Sequence, residues 1–505
     1  MKKRHIKLSV LLLAALAAFS TYGCDSSEEA SSSNDTAVCM GCHDGTTDTG
    51  SKILWAKSGW EDSGHAQGQR LPIIDTYATF DGSGTYLGLE ENIIGWEWSG
   101  SHAFMGNGSS CQYCHEHSGF VNQWTGGYPE PIATGNTAID GLPEFTTPWE
   151  IEGEVILQPA PPGCSTCHAP HKNGNFELTI PNGTVVQTQG LGAYSKSRGN
   201  ICAGCHKSRV MNGRTNMFTD VNDRLLSSLL TDMTSVSHFG PHYGTQTDVH
   251  LGTSAATYAG KTYTNHEHST SDDANCVTCH MNLRTDMMSH LSSTLGGHSF
   301  EVTAPMRGGE NANYGGCEGS ACHDIIRPAD LTAATQAAAD GYIRKDMKVF
   351  TYTVGGTAHN TMAKMNAIMV KLADPDNGCA GLLNDAFEAA TVDASGADIG
   401  GSSIKFKNDV YERCHISSYT VATGETIPAV DPATVDVDAD PSVRILKALW
   451  NFETIAADKS QGQHNPSFVL QLLYDTCEDV HLLTGGANDA AAIDAACNNL
   501  STNRP

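Results

Sequence analysis

From Cys39 to His323 the chain shows few sustained hydrophobic periods. Apolar residues are scattered among Gly, Ser, Thr and Asn, a pattern that predicts irregular loops and short helices. After about residue 325 helical spacing appears. Residues 331–339 are Ala-rich, residues 357–372 carry Met362, Met365, Ile368 and Met369 at helical spacing, and residues 443–457 set Ile445, Leu449, Phe452 and Ile455 on one face. A Met stripe at this spacing reads as core packing rather than as a set of iron ligands. A last long helix starts at Gln463-His464-Asn465-Pro466. There Asn465 is expected to accept from first-turn N–H groups and Pro466 to take the first helical position. Phe468, Leu472, Leu473, Cys477 and Val480 form its expected buried face. Residues 420–442, rich in Thr, Val, Asp and Pro, read as a solvated acidic loop or small hairpin.

The N-terminus has a different texture. Lys2, Lys3, Arg4 and Lys7 precede an apolar stretch from Leu8 to Phe19, and the small residue Gly23 stands before Cys24. This is the layout of a secretory signal, too short to span a membrane as a mature helix. Thr21-Tyr22-Gly23-Cys24 resembles a bacterial lipoprotein cleavage box, which makes Cys24 a lipidation candidate; Thr21 and Tyr22 depart from its usual residues. Residues 24–38 read as a flexible tether.

Composition sharpens the picture. Asp and Glu number 56 against 30 Lys and Arg, and the net charge of −26 argues against nucleic acid and anionic membrane surfaces as partners. His (22) and Cys (17) are abundant, and the cysteines are patterned. Five strings read Cys-x-x-Cys-His: Cys39/Cys42/His43, Cys111/Cys114/His115, Cys164/Cys167/His168, Cys202/Cys205/His206 and Cys276/Cys279/His280. Chance would supply about 0.03 of them at this composition. Two thiols at this spacing can add to the two vinyl groups of one haem, and the next His then lies under the porphyrin to ligate iron. A sixth site, Cys317/Cys322/His323, has four residues between its cysteines. Six covalent haem c groups are therefore expected, with His43, His115, His168, His206, His280 and His323 as proximal ligands. Structural zinc would not demand a His after every second Cys, and a thiol redox centre would use one such pair rather than six. Cys379, Cys414, Cys477 and Cys497 remain, which suits two disulfides in any of three pairings. Cys414-His415 looks like half a haem motif, but Tyr411 holds the place of the first Cys, so a structural thiol is the better reading.

Enough His remain to close the sixth position of every iron. His65, His102 and His298 stand among small residues that admit a flat macrocycle. His117, His171, His266 and His268 lie near attachment motifs, and His238, His242 and His250 form a further group led by His242. The candidate distal ligands are His65, His102, His171, His242, His268, His298 and His464. The expected fold is mainly α with extensive irregular loops, a haem core and C-terminal helices. Its parts are a leader (1–23), a tether (24–38), a six-haem region (39–325) and a mainly helical region packed on it (326–505).

Leu449-Trp450-Asn451-Phe452-Glu453, Asp458-Lys459-Ser460 and His464-Asn465-Pro466 are together similar to the C-terminal helices of the multihaem c-type cytochromes that include cytochrome c nitrite reductase, hydroxylamine oxidoreductase and octahaem tetrathionate reductase. The run from His266 through Cys276-Val-Thr-Cys279-His280-Met281 to His298 resembles a segment of the same group. The resemblance implies a multihaem cytochrome c fold and a distal-ligand role for His464. The leader and motif number also resemble exported cytochromes of metal-reducing bacteria. No Cys-x-x-Cys-Lys string, the catalytic attachment usual in the pentahaem nitrite reductases, is present. The expectation is an exported carrier of electrons through low-spin haems, in the periplasm or at the outer membrane and cell surface. The alternatives are a nitrogen- or sulfur-oxyanion reductase with one open haem, and a filament subunit in which a residue such as His359 serves a neighbouring chain. Expected partners are other cytochromes or extracellular acceptors, with membrane contact through a lipid alone.

Overall fold

A computed structural model describes the chain in stretches, chiefly residues 162–168, 178–188, 192–208, 244–282, 296–306, 357–374, 378–408, 414–428 and 438–497, with shorter pieces near 56–65 and 120–124 and a few strands elsewhere. The leader, the tether, the Ala-rich residues 331–339 and the first and sixth attachment motifs lie outside the described residues. Among the described residues every sheet is a two-stranded antiparallel pair, and no helix is long and apolar enough to cross a membrane.

The centre of the C-terminal half is a pair of packed helices, α1 (Pro441–Asp458) and α2 (Pro466–Leu483). α1 begins where Asp440 Oδ1 accepts from the N–H groups of Ser442 and Val443 at 2.9 and 3.4 Å, with Pro441 in the first turn, where no N–H is needed. It stops at Lys459, whose φ of 60° leaves the helical region. The apolar face seen in the sequence is buried, and so is the opposite face, including Lys447, Asn451, Glu453, Thr454 and Asp458. These polar groups survive burial because they are bonded. Asn451 Oδ1 accepts from Ala256 N (2.8 Å) and its Nδ2 donates to Ala256 O (2.9 Å), Thr245 Oγ1 donates to Thr454 O (2.8 Å), and Lys447 Nζ pairs with Asp438 (2.6 Å). The segment 245–257, between the fourth and fifth attachment motifs, thus covers the polar face of α1. Val249 and Ala256 belong to the same hydrophobic cluster as α1 and α2.

Three local expectations need correction. Residues 357–360 form a strand paired with Thr351–Val354, and the helix begins only at Thr361, running to Leu372. Met365 and Ile368 are buried in the common core, with Met369 half-buried beside them. Asn465 does not cap α2 with its side chain. Its amide is drawn away by the neighbouring chain: Oδ1 accepts from His266 N (2.9 Å), and Nδ2 donates to Asn265 Oδ1 (2.8 Å) and His250 O (3.3 Å). The segment after residue 420 is not wholly solvated either. Glu425–Thr426 pair with Val392–Asp393, and the buried Glu425 carboxylate accepts from Thr391 Oγ1, Ser402 Oγ and the N–H groups of Ile399 and Gly400.

Of the three possible cysteine pairings the structure shows Cys379–Cys414 and Cys477–Cys497. The first commits Cys414 to a disulfide. The second ties α2 to α3 (Ala490–Ala496), a seven-residue helix too short to hold itself. Its loop spans 20 residues, so replacing Cys477 and Cys497 by Ala should cost about 3 kcal/mol. Denaturant unfolding reads the loss, and hydrogen exchange should show fraying confined to residues after 484.

Candidate haem-binding site

Three attachment motifs are described in full, and each opens as one turn of helix: Cys164–Cys167, Asn200–Ala203 and Cys276–His280. A turn sets residues three apart on one face, so both thiols of the third and fifth motifs project to the same side; in the fourth, Cys205 follows the helix in a turn, its N–H donating to Cys202 O at 3.1 Å. Local bonds start each turn. Asn275 Oδ1 accepts from Val277 N and Thr278 N at 3.1 and 3.2 Å, and Thr166 Oγ1 accepts from Gly163 N at 2.8 Å. The buried Asn200 accepts from Lys196 N and donates to Asn182 O and Thr184 O. Lys196 Nζ donates to Ser269 O and Ser271 O, both at 2.6 Å, and so fastens the fourth motif to the loop that enters the fifth.

The thiols converge. Cys167, Cys202, Cys205 and Cys276 pack against a cluster of Phe120, Ile180, Val186, Tyr194, Ile201 and Ala203. Tyr194 Oη lies 3.3 Å from Cys276 Sγ, Cys202 and Cys276 share a hydrogen bond, and Cys205 bonds Cys114 of the second motif. Burial pushes the Cys167 thiol up to about 12. None of the seven described motif cysteines enters a disulfide.

The imidazoles are arranged in facing pairs. His206 lies with its ring centre 6.0 Å from that of His65, His168 lies 6.2 Å from His298, and His280 lies 6.3 Å from His464. Two metal–imidazole bonds of about 2.0 Å, each extended by about 1.1 Å from nitrogen to ring centre, call for roughly 6 Å between axial rings. The pairs therefore fit an iron held on both faces. Outer hydrogen bonds leave Nε2 to point at a metal: His280 Nδ1 meets Phe300 O (2.9 Å), His464 Nδ1 meets Asp458 Oδ1 (2.6 Å) and His268 Nδ1 meets Gln463 O (2.7 Å). His266 instead spends Nδ1 accepting from His268 N at 3.2 Å. His250 is buried, and its Nε2 has no hydrogen-bond partner, which is costly for a polar atom unless something else binds it.

Burial lowers His65, His280 and His298 to about 4 and His250 to about 3, so all four are neutral at pH 7 with a lone pair available. On His464 burial pulls down, but the Asp458 carboxylate outweighs it and the net shift is upward. For His65, His280 and His298 the native state binds fewer protons than the unfolded chain. The stability they contribute is full above their ordinary value of 6.5 and is lost as pH falls through about 4.

Of the distal candidates, His65, His268, His298 and His464 lie in this assembly, whereas His102, His171 and His242 lie outside the described residues, as do Cys24, Cys39, Cys42, His43, Cys111, His115, Cys317, Cys322 and His323. Sequence reasoning ranked His250 below His242 and missed Tyr194, Lys196, Phe300, Asp458 and Gln463. Tyr194, Lys196 and Phe300 lie in no motif, and Asp458 and Gln463 lie in segments quoted above without a role of their own.

Thiols projecting in pairs, each pair followed by an imidazole, in a wall of aromatic and aliphatic side chains, define a c-type cytochrome-like haem-binding region. A family model described as a doubled Cys-x-x-Cys-His motif matches residues 158–211, which hold the third and fourth motifs. No curated protein and no solved structure matches the chain. The region binds haem c covalently and serves electron transfer.

Proposed function

We propose that the chain is an exported hexahaem c-type cytochrome that carries electrons through low-spin haems, each closed on both faces by imidazole. Haem c, when attached, supplies a one-electron iron couple. The chain's residues do the rest. Cys164 and Cys167, Cys202 and Cys205, and Cys276 and Cys279 anchor three of the groups. His168 with His298, His206 with His65, and His280 with His464 would hold them, one imidazole on each face. Asp458 and the Phe300 carbonyl fix the tautomer and orientation of the last pair. Cys39/Cys42/His43, Cys111/Cys114/His115 and Cys317/Cys322/His323 would anchor the other three, with three of His102, His171, His242 and His268 as the imidazoles that close them.

The observation that carries this reading is that each of the three proximal His among the described residues has a second imidazole opposite it at 6.0–6.3 Å, which would leave none of these three irons a face for substrate. The acidic chain suits a basic redox partner or a positively charged mineral oxide, with association that weakens as salt rises. Spectra of the reduced holoprotein with and without carbon monoxide test the reading, together with a spin count by electron paramagnetic resonance. Six low-spin haems indifferent to carbon monoxide support a carrier. One high-spin haem that binds it would point to an enzyme with an open site, such as an oxyanion reductase.

A further inference from the structure

Residues 296–301 make a tight reversal whose last turn places a phenylalanine in the left-handed region. Gly297–Ser299 form a single 3-10 turn, Phe300 follows with φ 59° and ψ 3°, and Gly296 N donates to Glu301 O at 2.8 Å to close the loop. Ser299 Oγ donates to Gly296 O at 2.7 Å. A bulky residue occupies this conformation only when its surroundings hold it there.

Those surroundings are the axial imidazoles of three different motifs. The Phe300 ring stands edge-on to His65, with ring centres 4.7 Å apart and planes at 76°, and near His298 at 6.0 Å and 67°. Its carbonyl oxygen, aimed by the left-handed backbone, accepts from His280 Nδ1 at 2.9 Å. His65 faces His206, and His298 faces His168. One residue therefore touches the ligand set of the third, fourth and fifth motifs. The approach is close on the far side as well: a Cβ on Gly59 would lie 3.1 Å from Ser299 N, so the segment leading to His65 nests directly on the turn. On the attachment side, independently, Cys202 bonds Cys276, and Cys167 lies close enough for its charge to act on both Cys202 and Cys205. The same three motifs meet at their thiols.

We propose that Phe300 is a positioning residue that ties the haem sites of His168, His206 and His280 into one redox unit, its ring setting the planes of His65 and His298 while its carbonyl orients His280. The inference rests on the bis-imidazole reading above. Axial-plane orientation and Nδ1 hydrogen bonding both act on iron potential, so a group that fixes several axial ligands at once sets their potentials together.

The test uses the full holoprotein as wild type, Phe300→Gly and Phe300→Leu. Glycine adopts the left-handed backbone without strain, so Phe300→Gly keeps the carbonyl aimed at His280 and deletes only the ring. Haem content should be unchanged. In electron paramagnetic resonance two low-spin signals, those of the His65 and His298 sites, should move by more than their line width, with a matching shift in two midpoint potentials. The His280 signal should stay. Phe300→Leu, which keeps apolar bulk if the glycine variant assembles poorly, should move the same two signals by less. A wild type lacking bis-imidazole low-spin signals would sink the functional reading itself. A fully low-spin wild type whose variants leave every signal in place, or move all of them alike, overturns the role of Phe300.

Discussion

Replacing His464 by alanine should give the holoprotein one haem that binds carbon monoxide where the wild type has none. His464 stands two residues before α2, its ring centre 6.3 Å from that of His280, with Nδ1 held by Asp458 at 2.6 Å. Alanine removes the imidazole and leaves no donor atom in its place, so the site of Cys276, Cys279 and His280 opens on one face. The measurable result is conversion of one low-spin signal to high-spin and a carbon monoxide difference band worth one haem of the set. Asp458→Asn keeps the ligand but withdraws the charge that raises its basicity, and about 10–100-fold weaker ligation is the expected scale. His250 provides the control, because its ring centre lies 6.5 Å from that of His464 and its Nε2 has no hydrogen-bond partner. If His250 swings in to replace the lost ligand, His464→Ala stays silent and the double variant with His250→Ala binds carbon monoxide. Silence in both variants would refute the His280–His464 pairing.

What the sequence reveals about this site divides along a physical line. Cys-x-x-Cys-His is legible because thioether attachment and proximal ligation must come from one contiguous turn, and one helical turn fixes the spacing. The distal imidazoles are not bound in that way. His65 faces His206 and His298 faces His168 across long stretches of chain, so only their small-residue surroundings hinted at them. Residues that act on the ligands left little signal: nothing in Gly296-Gly297-His298-Ser299-Phe300 announces a left-handed phenylalanine, and Asp458 entered only as part of a segment that carries the family resemblance, with no role of its own.

The fold shows the same division. Helical periods in residues 443–457 and after Pro466 place α1 and α2 to within a few residues, because amphipathic spacing is local. What covers the polar face of α1 is not local, so Asn451, Thr454 and Lys447 read as solvated positions until residues 245–257 are laid on them. Asn465 misled for a related reason. Asn before Pro suits a cap, but its amide had stronger claims from His266 N and Asn265. Four cysteines in sequence permit three pairings, and only packing selects Cys379–Cys414 and Cys477–Cys497.

The seam between α1 and the haem-bearing segment is where a single substitution should do most harm to stability. Trp450 is buried, with 1% of its surface exposed, and Nε1 donates to Ser254 O at 2.7 Å. Ser254 itself lies in the left-handed region at φ 62°, and its hydroxyl bonds the buried carboxylate of Asp248. Asp248 in turn accepts from Ser208 N at 2.5 Å, two residues beyond His206. Trp450→Ala removes the largest fully buried side chain among the described residues and strips Ser254 O of its donor. The cavity accounts for about 3–5 kcal/mol and the orphaned carbonyl for about 1 kcal/mol more. Trp450→Phe keeps most of the volume and loses only the N–H, so about 1–2 kcal/mol is expected. Denaturant unfolding of the holoprotein measures both. Because the hydrogen-bonded path from Trp450 ends beside the fourth motif, the alanine variant should also broaden the low-spin signal of the His206 site while leaving that of His464 sharp. Equal loss in both variants would mean that the N–H bond, rather than the indole volume, holds the seam together.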